Sequence, residues 1–251
     1  MNRSRYWAIV PAAGIGKRMG AEVPKQYLPL AGKTVIEHTL HRLSQNPQIS
    51  EIIVVLAKDD PYWPELKLDW VATSLSTVIG GNERCDSELN GMQSLNKKAE
   101  KDDWVLVHDA ARPCIRLNDV RNLITACEQQ EASISGAILG MPVKDSMKQS
   151  DEALCVEHSL AREHIWHALT PQMFRFRDLE TSLSSALNKG LQITDEAMAM
   201  ESAGFKTKLV QGHSDNIKIT NPEDLALAEF YLQQQSLNGV SGFDDGMSDG
   251  G

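Results

Sequence analysis

Uninterrupted apolar runs of strand length, set between segments of helical spacing, constrain this chain more than any other feature. Tyr6-Trp7-Ala8-Ile9-Val10, Ile52-Ile53-Val54-Val55-Leu56 and Trp104-Val105-Leu106-Val107 carry no charged residue on either alternating face. A strand tolerates that pattern only where both faces are covered, and helices supply the cover in parallel sheets. Weaker strands are expected at 133–139 and 207–210, and Thr77-Val78-Ile79 is a further short run. Helical spacing fills 34–43, 83–95 and 117–130. The fold class is therefore α/β, with a mostly parallel central sheet.

Two helix starts stand out. Asn221-Pro222-Glu223-Asp224 offers a cap, a first-turn proline and two acids at the positive end of the helix dipole. Leu225, Ala228 and Leu232 then share one face. Thr170-Pro171 has the same form and predicts a helix over 173–187.

The segment 141–166 reads differently. Pro142-Val143-Lys144-Asp145-Ser146-Met147-Lys148 and Ala153-Leu154-Cys155-Val156-Glu157-His158 are extended runs around a polar turn, which predicts a β-hairpin arm projecting from the sheet. Leu139, Val143, Met147, Leu154 and Val156 need cover, because a lone two-stranded ribbon is marginally stable in water. Residues 1–235 read as one domain without internal repeats. Residues 236–251, rich in Gly, Ser and Asp, read as a disordered tail too short for another domain.

Composition narrows the function classes. The chain of 251 residues is 41% hydrophobic and 24% charged, with a net charge of −9. Those values exclude a disordered or fibrous chain, and the charge disfavours broad nucleic-acid binding. Any bound anion must meet a local cluster of cations. Cys85, Cys114, Cys127 and Cys155 form no C-x-x-C pair, so reduced thiols are expected rather than zinc or redox chemistry. Tyr6 to Ala13 is too short for a signal-peptide core after the basic start, and no run reaches membrane-span length. A cytoplasmic protein is expected.

The strongest local signal follows the first strand. In Pro11-Ala12-Ala13-Gly14-Ile15-Gly16-Lys17-Arg18-Met19-Gly20, small residues let backbone N–H groups approach a ligand, and such groups form anion-binding concavities. Lys17, Arg18 and Lys25 add charge, so phosphate binding is the natural reading. A dinucleotide-binding turn is the competitor, but its third glycine would come one residue late, at Gly20. Glu37, which would be its ribose-binding acid, falls inside a helical pattern.

Further motifs follow in order: Pro24-Lys25-Gln26-Tyr27, Gly80-Gly81-Asn82-Glu83-Arg84, Val107-His108-Asp109-Ala110-Ala111-Arg112-Pro113, Trp166-His167-Ala168-Leu169-Thr170-Pro171-Gln172, Ile193-Thr194-Asp195-Glu196-Ala197 and Asp215-Asn216-Ile217-Lys218. Together with the glycine loop, they make the chain, over about residues 6–235, resemble the 2-C-methyl-D-erythritol 4-phosphate cytidylyltransferases. The resemblance implies a three-layer, Rossmann-like nucleotidyltransferase fold. The implied reaction moves CMP from CTP to the sugar-alcohol phosphate and releases pyrophosphate, in isoprenoid precursor synthesis. It also implies Mg²⁺ or another divalent cation, and a homodimer formed through the 141–166 arm.

Residue roles carry over by position. Arg18, Lys25 and Lys218 match the family's catalytic cations, and Lys17 a variable basic helper. Pro11, Ala12, Ala13, Gly14, Gly16, Gly80, Gly81, Asn82, Ser87, Asp109 and Ala110 match its CTP site. Asn82 stands where relatives commonly have aspartate. Asp109 matches the region of the ribose or the metal, with Arg112 bracing its loop and Arg84 either structural or functional. Ser146, Arg162, Thr194 and Asp215 match contacts to the second substrate; Ser146 replaces a common threonine and keeps its hydroxyl. Thr194 also fits as the N-cap of a helix over 195–203. His108 reads as a satisfied polar residue. His164 and His167 lack any further metal-ligand pattern.

Rival readings are a cytidylyltransferase acting on ribitol 5-phosphate, an NAD-dependent dehydrogenase, and a non-enzymatic nucleotide-binding module.

Overall fold

The computed structural model describes residues 4–14, 23–81, 83–129, 134–237 and 239. Gly16, Lys17, Arg18, Asn82 and most of the 236–251 tail lie outside the described residues.

In chain order the strands and helices begin with β1 (Tyr6–Pro11), a short hairpin of β2 (Pro29–Leu30) and β3 (Lys33–Thr34), then α1 (Val35–Ser44) and β4 (Ile49–Leu56). They continue with β5 (Ser74–Ile79), α2 (Arg84–Ser94), β6 (Trp104–Val107), α3 (Leu117–Glu128) and β7 (Ile134–Pro142). Next come β8 (Met147–Ser150), β9 (Val156–Leu160), β10 (Trp166–Arg175), α4 (Phe176–Asn188), α5 (Glu196–Ser202), β11 (Lys206–Gln211) and α6 (Glu223–Leu237).

Seven strands form one sheet in the order β11-β7-β10-β6-β1-β4-β5. Every neighbouring pair is parallel except the two made by β10, which runs antiparallel to β6 and β7. The double-faced apolar strands are explained by what covers them. On one face Ala8, Val10, Ile52 and Leu106 pack with Leu40 of α1 and Leu123 of α3. On the other, Trp7, Ile9, Ile53 and Val105 pack with Met92 of α2, Leu179 of α4 and Met200 of α5. The layers are helix, sheet and helix. Helix α6 closes a third cluster, where Ala228 and Leu232 meet Leu30, Val35 and Ile219.

Local chemistry sets several boundaries. Thr34 caps α1 in a reciprocal capping box with Glu37. Glu83 and Asp86 form the corresponding box at α2. Asp224 accepts from the backbone N–H groups of Thr220 and Asn221, so an acid inside the first turn of α6 fixes the entry to that helix.

Two expectations are overturned. The helix expected over 173–187 begins only at Phe176, because Trp166–Arg175 is the long strand β10. Thr170-Pro171, a cis peptide, lies inside that strand and is no helix start. The proline sits where the β10–β7 register shifts between Ala168 and Gln172, so its missing N–H leaves no ladder bond unmade. The cap of α5 is Asp195, whose carboxylate accepts from Met198 N–H, and not Thr194.

The projecting hairpin is present as the antiparallel pair β8 and β9. Its strands are almost wholly exposed, Leu154 and Val156 at its tip most of all. Leu139 and Val143, expected to need outside cover, are already buried within the chain. All four cysteines are free thiols. No helix among the described residues is long and apolar enough to cross a membrane.

Candidate active site

Three parallel strands deliver their C-terminal ends to one cleft. β1 ends at Pro11, followed by Ala12, Ala13 and Gly14; β5 ends at Ile79, just before Gly80 and Gly81; β6 leads through His108 to Asp109 and Ala110. In open α/β sheets this edge is where ligands bind. The cleft has a volume of about 200 Å³, and Lys25, Ser87, Arg84 and Lys218 complete its wall. The sequence-derived residues Pro11, Ala12, Ala13, Gly14, Gly81, Ser87, Asp109, Ala110, Lys25 and Lys218 are therefore brought together. Gly80 lies just behind them.

Gly81 has to be glycine. A Cβ there would lie 2.2 Å from Cβ of Asp86. Its N–H donates to Ser87 Oγ at 3.1 Å, and the Ser87 hydroxyl donates to the Glu83 carbonyl at 3.1 Å. The glycine loop is thereby tied to the first turn of α2.

The cations are positioned by the C-terminal segment. Lys25 Nζ donates to the carbonyl of Ile219 at 2.9 Å, and Lys218 Nζ pairs with Asp109 Oδ2 at 2.9 Å. That segment is clamped in turn by the loop after β6. Arg112 donates to the Asn216 carbonyl at 2.8 Å and to Asp109 Oδ2 at 3.2 Å. Burial would raise the Asp109 carboxyl, but Lys218, Arg84 and Arg112 overcome it and hold the group far below the usual carboxylate range. Asp109 is a fixed anion in a ring of cations.

A relay orients it. Asp109 N–H donates to Thr170 Oγ1 at 3.1 Å, and Thr170 Oγ1 lies 3.0 Å from His108 Nδ1. His108 Nε2 lies 3.1 Å from the Arg112 carbonyl. A neutral imidazole with its proton on Nε2 satisfies both contacts. Burial lowers the His108 pKa to about 4, which keeps it neutral.

The family model described as 2-C-methyl-D-erythritol 4-phosphate cytidylyltransferase matches residues 6–234. The chain belongs to that family. A relative of that name from Tolumonas auensis is 53% identical over 232 residues, 92% of this chain and 98% of its own. Another from Vibrio atlanticus is 51% identical over 227 residues, covering 90% and 95%. The solved structure of the Francisella tularensis enzyme of that name is 32% identical, with a TM-score of 0.74 over 91% of this chain and 100% of that one. A 4-diphosphocytidyl-2C-methyl-D-erythritol synthase structure from Anaerococcus prevotii reaches a TM-score of 0.78 at 29% identity, over 92% and 99%.

The four residues matched to the family's second substrate do not line this cleft. Ser146 and Arg162 stand exposed at the base of the hairpin, where the Arg162 guanidinium donates to the Lys144 carbonyl. Thr194 is exposed beside the cleft, and its carbonyl accepts from Arg84 Nη1 at 3.1 Å. Asp215 is buried, and its Oδ2 accepts from Arg116 Nε at 2.8 Å and Gln235 Nε2 at 2.8 Å. As placed, Asp215 anchors the loop that carries Lys218.

Sequence reasoning passed over several members of the site. Gln26 is buried, donates to the Ala12 carbonyl at 2.6 Å and to the Gly14 carbonyl at 3.2 Å, and so fixes the glycine loop. Its place between Lys25 and Tyr27 in a quoted motif was the available signal. Thr170 and Glu196 sit inside two of the family motifs, which do not display their roles because the partners come from distant elements, and Glu88 lies in no motif at all.

Arg84 proves to be a bridge. Its Nη2 lies 2.8 Å from Glu196 Oε1 and 3.6 Å from Asp109 Oδ1, and its Nη1 lies 3.0 Å from Glu88 Oε1.

Proposed function

We propose that this chain transfers CMP from CTP to 2-C-methyl-D-erythritol 4-phosphate, giving 4-diphosphocytidyl-2-C-methyl-D-erythritol and pyrophosphate. One observation carries the reading: main-chain loops, Lys25, Lys218 and Asp109 converge on one cleft at the C-terminal ends of β1, β5 and β6. The nucleophile is a phosphate oxygen whose second pKa is about 6, so it is largely dianionic at neutral pH. No general base is needed. The barrier is repulsion between anions and the charge that develops on the α- and β-phosphates, and positioned cations lower it. Lys25 and Lys218 reach into the cleft from opposite ends of the chain and suit that task; Arg18 joins them by its place in the family motif. The glycine loops present backbone groups to the base and phosphates, and Ser87 holds the second loop in shape.

The residues present fit a divalent cation carried in with the nucleotide. Among the described residues no group of three or more His, Cys, Asp or Glu side chains is arranged to hold a metal. A nucleotide-borne Mg²⁺ commonly needs only one or two carboxylates, since phosphates and water fill its other positions. Asp109, ionised and facing the cleft, is one carboxylate available, and Glu83 is a second on the cleft wall. The cation would supply charge neutralisation of the triphosphate, while Asp109 and the lysines fix its orientation.

The exposed hairpin supports a two-fold dimer in which Ser146 and Arg162 complete the partner's second-substrate site. Free, mostly buried thiols suit a reducing compartment such as the cytoplasm.

Pyrophosphate release, measured with each of the four nucleoside triphosphates and with methylerythritol and ribitol phosphates, tests the reading. CTP with methylerythritol phosphate should be the productive pair, and excess EDTA should stop turnover. Equal kcat/KM for UTP and CTP, or faster turnover of ribitol phosphate, would overturn it.

A further inference from the structure

Two carboxylates sit behind the cleft in a setting that neither the nucleotide loops nor the cation ring explains. Glu88 on α2 and Glu196 at the start of α5 are 1% and 0% exposed. Among the described residues, Glu88 Oε1, Glu88 Oε2 and Glu196 Oε2 are buried without any aligned hydrogen-bond donor. Arg84 is an ion-pair neighbour of both acids, at 3.0 Å from Glu88 Oε1 and 2.8 Å from Glu196 Oε1. One guanidinium cannot neutralise two buried carboxylates, and an uncompensated buried charge is strongly destabilising. A single proton resolves both difficulties. Placed on Glu88 and donated to the Glu196 carboxylate with which it is in hydrogen-bond contact, it relieves the orphaned oxygens and leaves one anion for one cation.

We propose that Glu88 and Glu196 share one proton and thereby fix the Arg84 guanidinium between the nucleotide cleft and the Thr194 segment, which makes Glu88 a positioning residue for the transfer reaction. The groups facing Glu88 are Arg84 and the Cys85 thiol on its own helix, Glu196 from α5, and Asp109 from the loop after β6. Burial first, and then the Glu196 carboxylate, hold Glu88 well above the usual carboxylate range, against the opposing pull of Arg84. With the acid pair carrying a net charge of −1, Arg84 keeps an attraction for Asp109, 3.6 Å from its Nη2, and a hydrogen bond to the Thr194 carbonyl. A doubly ionised pair would draw the guanidinium back from the cleft. A missing Glu88 would release it toward Asp109, where it competes with Lys218. Arg84 thus couples Asp109 in the cleft to the Thr194 segment matched to the second substrate, and the acid pair sets where it stands.

The inference about kinetics rests on the proposed transfer reaction, but the proton itself can be read without turnover. In the full-length protein labelled with carboxyl-¹³C glutamate, one carboxyl signal should titrate well above the ordinary range and vanish in Glu88→Gln. If every glutamate signal titrates in the ordinary range, the shared proton is wrong whatever the enzyme's substrate. Kinetically, Glu88→Gln keeps a neutral donor toward Glu196 and a carbonyl toward Arg84, and should stay within about twofold of wild type in kcat. Glu88→Leu removes both and should lose about tenfold in kcat through misplaced groups, with KM for CTP changed less than kcat. A Glu88→Gln variant as impaired as Glu88→Leu would overturn the proposal. So would Glu88→Leu at wild-type kcat with only a lowered melting temperature. Should Glu88→Leu fail to fold, the titration and the Glu88→Gln kinetics still decide the question.

Discussion

Lys218 pairs with Asp109, and Lys25 holds the carbonyl of the residue next to Lys218, so Lys25 steadies the backbone that presents Lys218. Neither anchors the core, which lies in the clusters on the two sheet faces. Lys25→Ala and Lys218→Ala should therefore fold, with unchanged circular dichroism, yet lower kcat by about 10², the effect of removing one preorganised electrostatic donor. Nearly normal kcat in a folded variant would remove that lysine from the site. His108 gives a prediction of different sign. Its pKa is ordinarily 6.5 and falls to about 4 in the buried site. Above pH 6.5 both folded and unfolded chains carry it neutral, and it contributes no pH dependence. As pH falls from 6.5 toward 4 the unfolded chain gains a proton that the folded chain refuses. Stability should drop by about 1.4 kcal/mol per pH unit across that window. Urea denaturation at several pH values should show this slope reduced in His108→Gln, whereas equal slopes would mean that His108 is not buried neutral.

At the level of elements, what could be read in advance depended on whether the signal was local. Helix α1 was legible from the helical spacing over 34–43, and its start is fixed by the Thr34–Glu37 capping box within one turn. The strands β1 and β6 and the 52–56 stretch of β4 were legible because burial on both faces leaves no polar residue to interrupt them. β10 was misread for the complementary reason. Thr170-Pro171 imitates a cap and first-turn proline, while what makes 166–175 a strand is pairing with β6 and β7, which no window of the sequence displays. The candidate site divides the same way. Gly81, Lys25 and Asp109 are legible because their roles follow from contiguous motifs; Glu88 lies in no motif, and the motifs that hold Thr170 and Glu196 do not show the remote partners through which they act. The β7–β10 seam offers a test of its own. A Cβ at Gly136 would lie 2.2 Å from Phe174 Cδ1 and 2.4 Å from the Met173 carbonyl oxygen, and the second of these is backbone. Gly136→Ala should cost about 3 kcal/mol, the upper end of overpacking penalties. Thr34→Ala should cost about 1 kcal/mol through its lost cap. Denaturant midpoints that reverse this order would show that the seam is looser than described.

For the molecule as a whole, the most exposed large apolar side chains among the described residues include two on the hairpin. Leu154 and Val156 are 84% and 64% exposed, on a ribbon that buries almost nothing of its own. Ser146 and Arg162 share that ribbon's base and stand outside the cleft that holds Lys25. A two-fold dimer that covers the hairpin and inserts its base into the neighbour's site answers both observations. Mixing separates it from a self-contained monomer. Lys25→Ala and Arg162→Ala subunits should each be inactive alone. If Arg162 serves the partner, a mixed dimer collects both lesions in one site and neither in the other. Random reassortment places half of all dimers in the mixed class, so roughly one quarter of sites should recover. If Arg162 serves its own chain, every site keeps one lesion whatever its partner. Recovery near zero, with subunit exchange confirmed by mass-labelled chains, would reject the shared site and leave the hairpin's apolar tip to be covered by something else.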